Sequence, residues 1–282
     1  MRRQALLAHW QRSLLDSLRR WRAVHRLGFP PERLAQVRTR DGQSLLVPGE
    51  CVENGLYYAE VWEPYTVSLF LEELRPGHTV VDVGAHVGYY TLMAARAVGP
   101  RGTVYALEPA PAEARLLLWN VARNGHANVR VVPRAAGDRR GRVTLSLSGI
   151  SSMHSLGRHD EAGPWRGSVR VPMVTVDGLL RGRPVDVVKM DVEGAEPLVL
   201  KGMLRTVRAS PGLVIFSEFS PHVYGALSLD AEEFVAQLMD LGFQVWLVDE
   251  WERRLVPVPR GRAVEIYYSL VMRGHLVCRR AG

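Results

Sequence analysis

The sequence predicts an α/β protein: a mainly parallel sheet of seven strands with helices on both faces, preceded by an extension of mixed helical and β character. Three observations carry this. From His78 onward, short apolar runs such as TVVDV and VDVVKMD alternate with stretches of helical periodicity. Glycines stop those helices at Gly99-Pro100 and at Gly125. The first strand ends, in DVG, EP and RAAGD, carry the small and acidic residues of a ligand-facing rim.

Taken in order, residues 1–75 form the extension. Leu7, Trp10, Leu14, Leu18 and Trp21 recur at steps of three and four among arginines, which predicts an amphipathic helix. Such a helix packs on the main domain or on a second subunit, so a homo-oligomer is one reading; a membrane-surface helix or a substrate lid are the others. Residues 34–62 hold the short alternating stretches SLLVP and LYYAEVW, punctuated by Gly42, Gly49 and Gly55, and predict a small β-containing entry segment. Residues 76–282 are the main domain. TVVDV is its first strand and YYTLMAARAV the following helix; TVYALEP and AEARLLLWNVARNG repeat the unit; VRVVPRAA is the third strand and GRVTLSLS a hairpin arm. Residues 149–168 lack periodicity and read as a long functional loop. VRVPMVTVDGLL, the strand VDVVKMD, the helix EPLVLKGMLRTV, the strand GLVIFSEF and the helix DAEEFVAQLMDLG follow. QVWLVD and EIYYSLVMR close the sheet as two strands joined by a charged turn.

Composition narrows the function. Among 282 residues no apolar run reaches the ~20 needed to span a bilayer, and the two cysteines, Cys51 and Cys278, supply neither a disulfide framework nor a zinc site. A cytoplasmic setting follows as the expectation. The net charge of +7 belongs to residues 1–40, where ten arginines face Asp16 and Glu32; beyond them 26 basic residues face 27 acidic ones. A near-neutral main domain is a poor nucleic-acid surface, so no nucleic-acid partner is expected.

The turn Asp82-Val83-Gly84-Ala85-His86-Val87-Gly88 spaces its glycines at i and i+4, unlike the G-x-G-x-x-G dinucleotide fingerprint. Gly84 suits close approach of the chain to a ligand, and Gly88 tight packing of the next helix. Glu108, at the next strand end and before Pro109, can accept both hydroxyls of a ribose. Ala135 and Ala136 can edge an adenine.

With WEPYTVSLFLEELRPG, VVDVGAHVGYYTLMAAR, YALEPAP, RAAGD and VVKMDVEGAE, the chain resembles the FkbM-type S-adenosylmethionine-dependent methyltransferases from about Trp62 to Val207, with a looser continuation to the C-terminus. The resemblance implies a Rossmann-like, class I methyltransferase fold. It implies S-adenosylmethionine as cofactor, with Asp82, Gly84, Ala85 and Gly88 around its methionine part, Glu108 on the ribose and Ala135 and Ala136 at the adenine. It further implies that Glu63 and Thr66 close over the amino-acid end, and that the acceptor is a hydroxyl on a sugar or a polyketide-type natural product. His86 departs from the asparagine more often found there and can still donate a hydrogen bond.

Methyl transfer to an alcohol needs alignment and a base. Asp191, at the end of VDVVKMD, is the first candidate, and Glu218 and His222 after the next strand reach the same mouth. Lys189 reads equally as a catalytic group or as a buried cation paired with Asp191 or Glu218. His154 and His159 lie in the long loop. Asp191, Glu193 and Glu218 could gather a Mg²⁺, which the spacing does not require. Three other readings compete: an RNA methyltransferase using the basic leader, a nicotinamide-dependent oxidoreductase, and a non-catalytic scaffold. The missing third glycine and the lack of a Tyr-x-x-x-Lys pair weigh against the oxidoreductase.

Overall fold

The computed structural model describes residues 34–53, 63–158, 164–270 and 274–280. The amphipathic helix expected over residues 7–21, LYYAEVW and His159 lie outside them. The order begins with β1 (Leu34–Arg38), β2 (Ser44–Pro48), α1 (Gly49–Glu53), α2 (Pro64–Glu73), β3 (Thr79–Val83), α3 (Tyr89–Val98), β4 (Thr103–Leu107), α4 (Pro111–Arg123) and β5 (Val129–Val132). It continues with β6 (Ala135–Ala136), β7 (Gly141–Ser148), β8 (Trp165–Val174), α5 (Val176–Leu180), β9 (Val187–Met190), α6 (Glu196–Lys201) and α7 (Leu204–Ala209). It ends with β10 (Val214–Glu218), α8 (Pro221–Tyr224), α9 (Ala231–Asp240), β11 (Phe243–Asp249), β12 (Arg254–Pro257), α10 (Ala263–Ser269) and β13 (His275–Arg280).

The main sheet runs β12-β11-β13-β10-β9-β3-β4-β5, with eight strands where the sequence predicts seven. Strands β3, β4, β5, β9 and β10 are parallel, while β13, β11 and β12 form the antiparallel edge. Chain order reverses beside β3, which has β4 on one side and β9 on the other, and a ligand crevice opens at such a point. The strands are apolar on both faces because helices cover both. Val81 and Val83 join one core with Leu107, Met190 and Ile215; Val80 joins the opposite core with Ala106, Val187 and Phe216.

The entry hairpin β1–β2 docks on α4 through two side-chain amides that stand in for a neighbouring strand. Asn120 exchanges hydrogen bonds of 2.9 Å with Leu46 N and O, and Asn124 does the same with Ser44 at 3.1 and 2.8 Å. One helical turn matches the two-residue repeat of the strand edge, which satisfies β2 without another strand.

Three expectations change. EIYYSL, the described part of EIYYSLVMR, is not a strand: residues 263–269 are α10, whose buried Ala263 and Tyr267 stand four apart, and the closing strand is His275–Arg280. Aromatic and β-branched composition suggested a strand; the helical spacing of the buried residues decides otherwise. Second, VRVVPRAA divides at Pro133, which lacks the N–H a ladder needs, and Ala135–Ala136 pairs with β8 in a separate sheet of order β6-β8-β7. Third, EPLVLKGMLRTV is two short helices broken at Gly202, where a Cβ would stand 2.0 Å from the carbonyl of Gly137.

Candidate active site

A cleft of about 550 Å³ opens at the carboxyl ends of β3, β4 and β9. Gly84, His86, Glu108, Pro109, Ala135, Ala136 and Asp191 line it.

The glycine turn is held in place by neighbours, and this refines the reasons expected for its glycines. A Cβ on Gly84 would stand 1.7 Å from the carbonyl oxygen of Asp191, so this φ +82 residue lets the β3 turn press against the end of β9. Gly88, at φ +102, begins α3 and faces Leu117 of α4 at 2.7 Å from its would-be Cβ, so it clears a helix and not the strand. Asp82 and Ala85 are buried behind the cleft and do not line it. The Asp82 carboxylate accepts the Thr91 hydroxyl, and burial raises its pKa to about 6. It thereby ties the end of β3 to the first turn of α3.

Glu108 is 6% exposed. Its Oε2 accepts His86 N–H at 2.8 Å and its Oε1 accepts Ala110 N–H at 2.7 Å. Burial outweighs these bonds and pushes its carboxyl up to about 8. Each oxygen keeps a lone pair for a further donor. His86 adopts φ 49, a left-handed conformation that asparagine and histidine take more readily than most residues, which accounts physically for the pair of residue types at this position. Its Nε2 lies 3.1 Å from Ser151 Oγ, and burial lowers its pKa to about 4, so the ring is neutral.

Ser151 belongs to the long loop expected over residues 149–168. Its described part, a turn of 3₁₀ helix at Ser151–Met153 and the residues after it, lies over the glycine turn. Ser151 also contacts Cys51 Sγ at 3.3 Å, and Ser151, Ser152, His154, Ser155 and Leu156 line the cleft with Leu145 of β7. His154 Nδ1 accepts Ser148 N–H at 3.1 Å, which leaves Nε2 to donate towards Glu113 at 3.5 Å. Burial raises the Glu113 carboxyl, but the bond and charge of His154 prevail and bring it below its usual value. The arm thus roofs the side of the cleft where Glu108 sits.

On the other side, Lys189 and Asp191 stand on alternate positions of the β9 run. Lys189 is 1% exposed, and its Nζ donates to Asp191 Oδ2 at 2.7 Å and to His275 Nε2 at 3.0 Å, 4.9 Å from the centre of the Tyr90 ring. Desolvation opposes its charge, yet Asp191 and Glu63 outweigh that and raise its pKa. Burial likewise opposes the charge on Asp191, and the Lys189 ammonium prevails and drives its pKa well below the usual carboxylate range. Asp191 lines the cleft with its side chain 31% exposed; it is an ionised carboxylate at the mouth.

Glu63, at φ 47 ahead of α2, faces this cluster, with Oε1 3.3 Å from His275 Nδ1 and Oε2 accepting the Tyr90 hydroxyl at 2.8 Å. Thr66 is fully buried and its N–H and hydroxyl bind Glu250, so it is placed away from the cleft, against the turn that follows β11. Glu218 and His222 do not line the cleft either. Glu218 Oε1 accepts Ser220 Oγ at 3.2 Å; burial, then Glu193, Asp191 and Glu196, raise its pKa well above the usual value. His222 is exposed on α8, with its ring 6.4 Å from that of Tyr267.

Asp191, Glu193 and Glu218 each bring a carboxylate oxygen within 4.8 Å of the others. In donor type they suit a hard divalent ion. Asp191 Oδ2 already carries the Lys189 ammonium, so an ion held among the three would share that oxygen with it.

Sequence reasoning missed His275, Tyr90 and, of the β7–β8 arm, the cleft residues Leu145, Ser151, Ser152, Ser155 and Leu156, having named only His154 there. His275 was hidden by the misplaced final strand. Tyr90 looks like one more apolar position of α3.

A family model described as the methyltransferase FkbM domain matches residues 82–245. Among curated proteins the chain is similar to a protein-L-isoaspartate O-methyltransferase of Methanothrix thermoacetophila, 27% identical over 131 residues that cover 42% of this chain and 58% of that protein. It is similar also to protein-L-isoaspartate O-methyltransferase 1 of Archaeoglobus fulgidus, 32% identical over 27% of this chain and 36% of the other. The matches thus span about half or less of the length of these relatives. Among solved structures it is similar to a SAM-dependent O-methyltransferase from Thermotoga maritima, with a TM-score of 0.45 and 15% identity over 90% of this chain and 95% of that one. The O-methyltransferase TomG from Streptomyces achromogenes gives 0.44 and 15% over 82% and 86%.

Proposed function

The chain belongs to the FkbM methyltransferase family, and from that membership we propose that it transfers a methyl group from S-adenosylmethionine to a hydroxyl of a small molecule of sugar or polyketide type. One observation carries the reading: Glu108 and the ionised Asp191 line the same cleft at the point where the sheet reverses.

S-adenosylmethionine, when bound, supplies a methyl group on a sulfonium, an electrophile whose departure leaves a neutral thioether. The chain does the rest. Glu108, fixed by two backbone N–H groups, accepts the ribose hydroxyls. Ala135, Ala136, Leu145 and Leu156 offer an apolar slot for the adenine. The glycine turn packs directly against the end of β9 and so sets Asp191 beside it, and the β7–β8 arm keeps water from the roof of the cleft. Asp191 orients the acceptor hydroxyl and takes its proton as the new bond to carbon forms. Its low pKa makes it a weak base, so its main effect is to align the hydroxyl and to receive the proton late, when the oxygen has become acidic.

A carboxylate acceptor, such as the isoaspartate named for the curated relatives would offer, fits less well. It needs no base, and Asp191 and Glu193 at the mouth repel it.

The test is transfer of labelled methyl from S-adenosylmethionine to a panel of sugar and polyketide alcohols, beside isoaspartyl peptides and RNA. Labelled alcohol products that vanish in Asp191→Asn support the reading. Labelling of peptide or RNA alone overturns the hydroxyl assignment.

A further inference from the structure

We propose that His275 is a positioning residue for this transfer: held by Glu63 as its Nδ1–H tautomer, it fixes the Lys189 ammonium against Asp191 and thereby orients the carboxylate that faces the acceptor. The inference rests on the reading of Asp191 as the group that receives the acceptor's proton.

The tautomer follows from the inventory of donors. An ammonium has three N–H groups and no lone pair, so across the 3.0 Å contact Lys189 Nζ donates and His275 Nε2 accepts. The ring proton then sits on Nδ1, which points at Glu63 Oε1, 3.3 Å away. Glu63 receives the Tyr90 hydroxyl on its other oxygen, and the Tyr90 ring lies beside Lys189. The chain of contacts therefore closes on itself: Tyr90, Glu63, His275, Lys189 and back to Tyr90. Four elements contribute, namely the start of α2, the first turn of α3, β9 and β13. The titratable groups that face Lys189, besides His275, are Asp191, Glu63 and Glu218, with Asp82 in register on the adjacent strand β3.

The geometry says why the ring matters. Lys189 has a four-carbon stem with many rotamers, and one carboxylate does not hold it in a single pose. His275 is 3% exposed and comes in from β13, whose register sets it opposite Glu218 on the strand next to β9. Its Nε2 lies 3.9 Å from Asp191 Oδ2, so the same ring atom bounds both partners of the ion pair. With the ring removed, the ammonium loses an acceptor in a buried site, and both it and Asp191 gain freedom to turn. None of Tyr90, Glu63, Lys189 and His275 lines the cleft, so cofactor binding is expected to survive such a change.

The test joins a spectroscopic readout to a kinetic one. In ¹⁵N-histidine-labelled protein, the resonances lost in His275→Gln identify this ring. They are expected to show an N–H at δ1 and an unprotonated ε2, with the pattern disturbed in Glu63→Gln. An ε2–H ring in the wild-type protein overturns the proposal. With an alcohol acceptor from the screen above, His275→Leu is expected to lower kcat by about 10- to 100-fold, with S-adenosylhomocysteine affinity held within about threefold as proof of an intact fold. His275→Gln, whose amide can accept from Lys189 and donate to Glu63, restores most of the loss. Equal kcat in wild type and His275→Leu, or no recovery in His275→Gln, overturns it. Wild-type turnover in Asp191→Asn instead removes the underlying base assignment, and this inference with it, whatever the His275 tautomer.

Discussion

Glu108 and Asp191 line one cleft, but different means keep them there. Glu108 is held by backbone: the N–H groups of His86 and Ala110, each within a short stretch of chain, grip one oxygen apiece. Asp191 is held by side chains: Lys189 two residues before it, then His275 and Glu63 from distant parts of the chain. Backbone-held Glu108 has a raised pKa because burial and then the neighbouring Glu113 carboxylate disfavour its charge, whereas Asp191 has a depressed one because a buried ammonium outweighs its burial. One side of the cleft is thus a rigid acceptor for neutral hydroxyls, and the other a fixed charge beside the reacting atoms. Both can be altered separately.

The largest effect is expected on the charged side. Asp191→Asn keeps an oxygen for Lys189 but loses the proton acceptor, and steady-state assays should show kcat reduced by about 10²- to 10⁴-fold. Affinity for S-adenosylhomocysteine should change little. If affinity falls as far as kcat, the two sides are not separable as described.

Gly84→Ala joins the two sides by breaking their contact. A Cβ 1.7 Å from the Asp191 carbonyl, at φ +82, forces the turn away from β9. Denaturant unfolding should show a loss of about 2–4 kcal/mol. A smaller loss would mean the turn can shift freely, and then the approach of the glycine turn to Asp191 does not shape the cleft.

A smaller effect is expected from pH on the Glu108 side. Its folded pKa, about 8, lies above the ordinary glutamate value of 4.5, so the native state holds a proton that the unfolded state releases. Stability from this group therefore falls as pH rises from about 4.5 to about 8, by at most about 1.4 kcal/mol per pH unit. Thermal unfolding across that range should show a shallower slope for Glu108→Gln than for wild type.

The smallest effect concerns metal. With Lys189 on Asp191 and a proton favoured on Glu218, chelator is expected to leave turnover unchanged. Loss of activity that Mg²⁺ restores would place an ion among Asp191, Glu193 and Glu218 and revise the charge balance of that side.

The same contrast explains what could be read in the sequence. The Glu108 side is local: a strand, a glycine turn and an acidic residue at the next strand end form a pattern within about thirty residues, and the structure brings Gly84, His86, Glu108, Pro109, Ala135 and Ala136 to one cleft. The Asp191 side is assembled by topology. That a buried Lys189 would be paired with Asp191 or Glu218 was legible, because a lysine inside an apolar strand must have a partner, and the structure gives Asp191. Its second partner was not, since His275 reaches it only because β13 inserts between β10 and β11, and the aromatic run EIYYS drew the final strand too early in the chain. The loop after β7 was legible as functional but not as a roof beside Glu108, because nothing local in GISSMHS points it at His86 and Cys51.

Calorimetric titration with S-adenosylhomocysteine and, separately, with NADH tests the central claim most directly. Wild type is expected to bind S-adenosylhomocysteine and not NADH, with binding weakened about 10- to 100-fold in Glu108→Ala and nearly unchanged in Asp191→Asn. Binding of NADH alone, or S-adenosylhomocysteine affinity indifferent to Glu108, would contradict the assignment of this cleft.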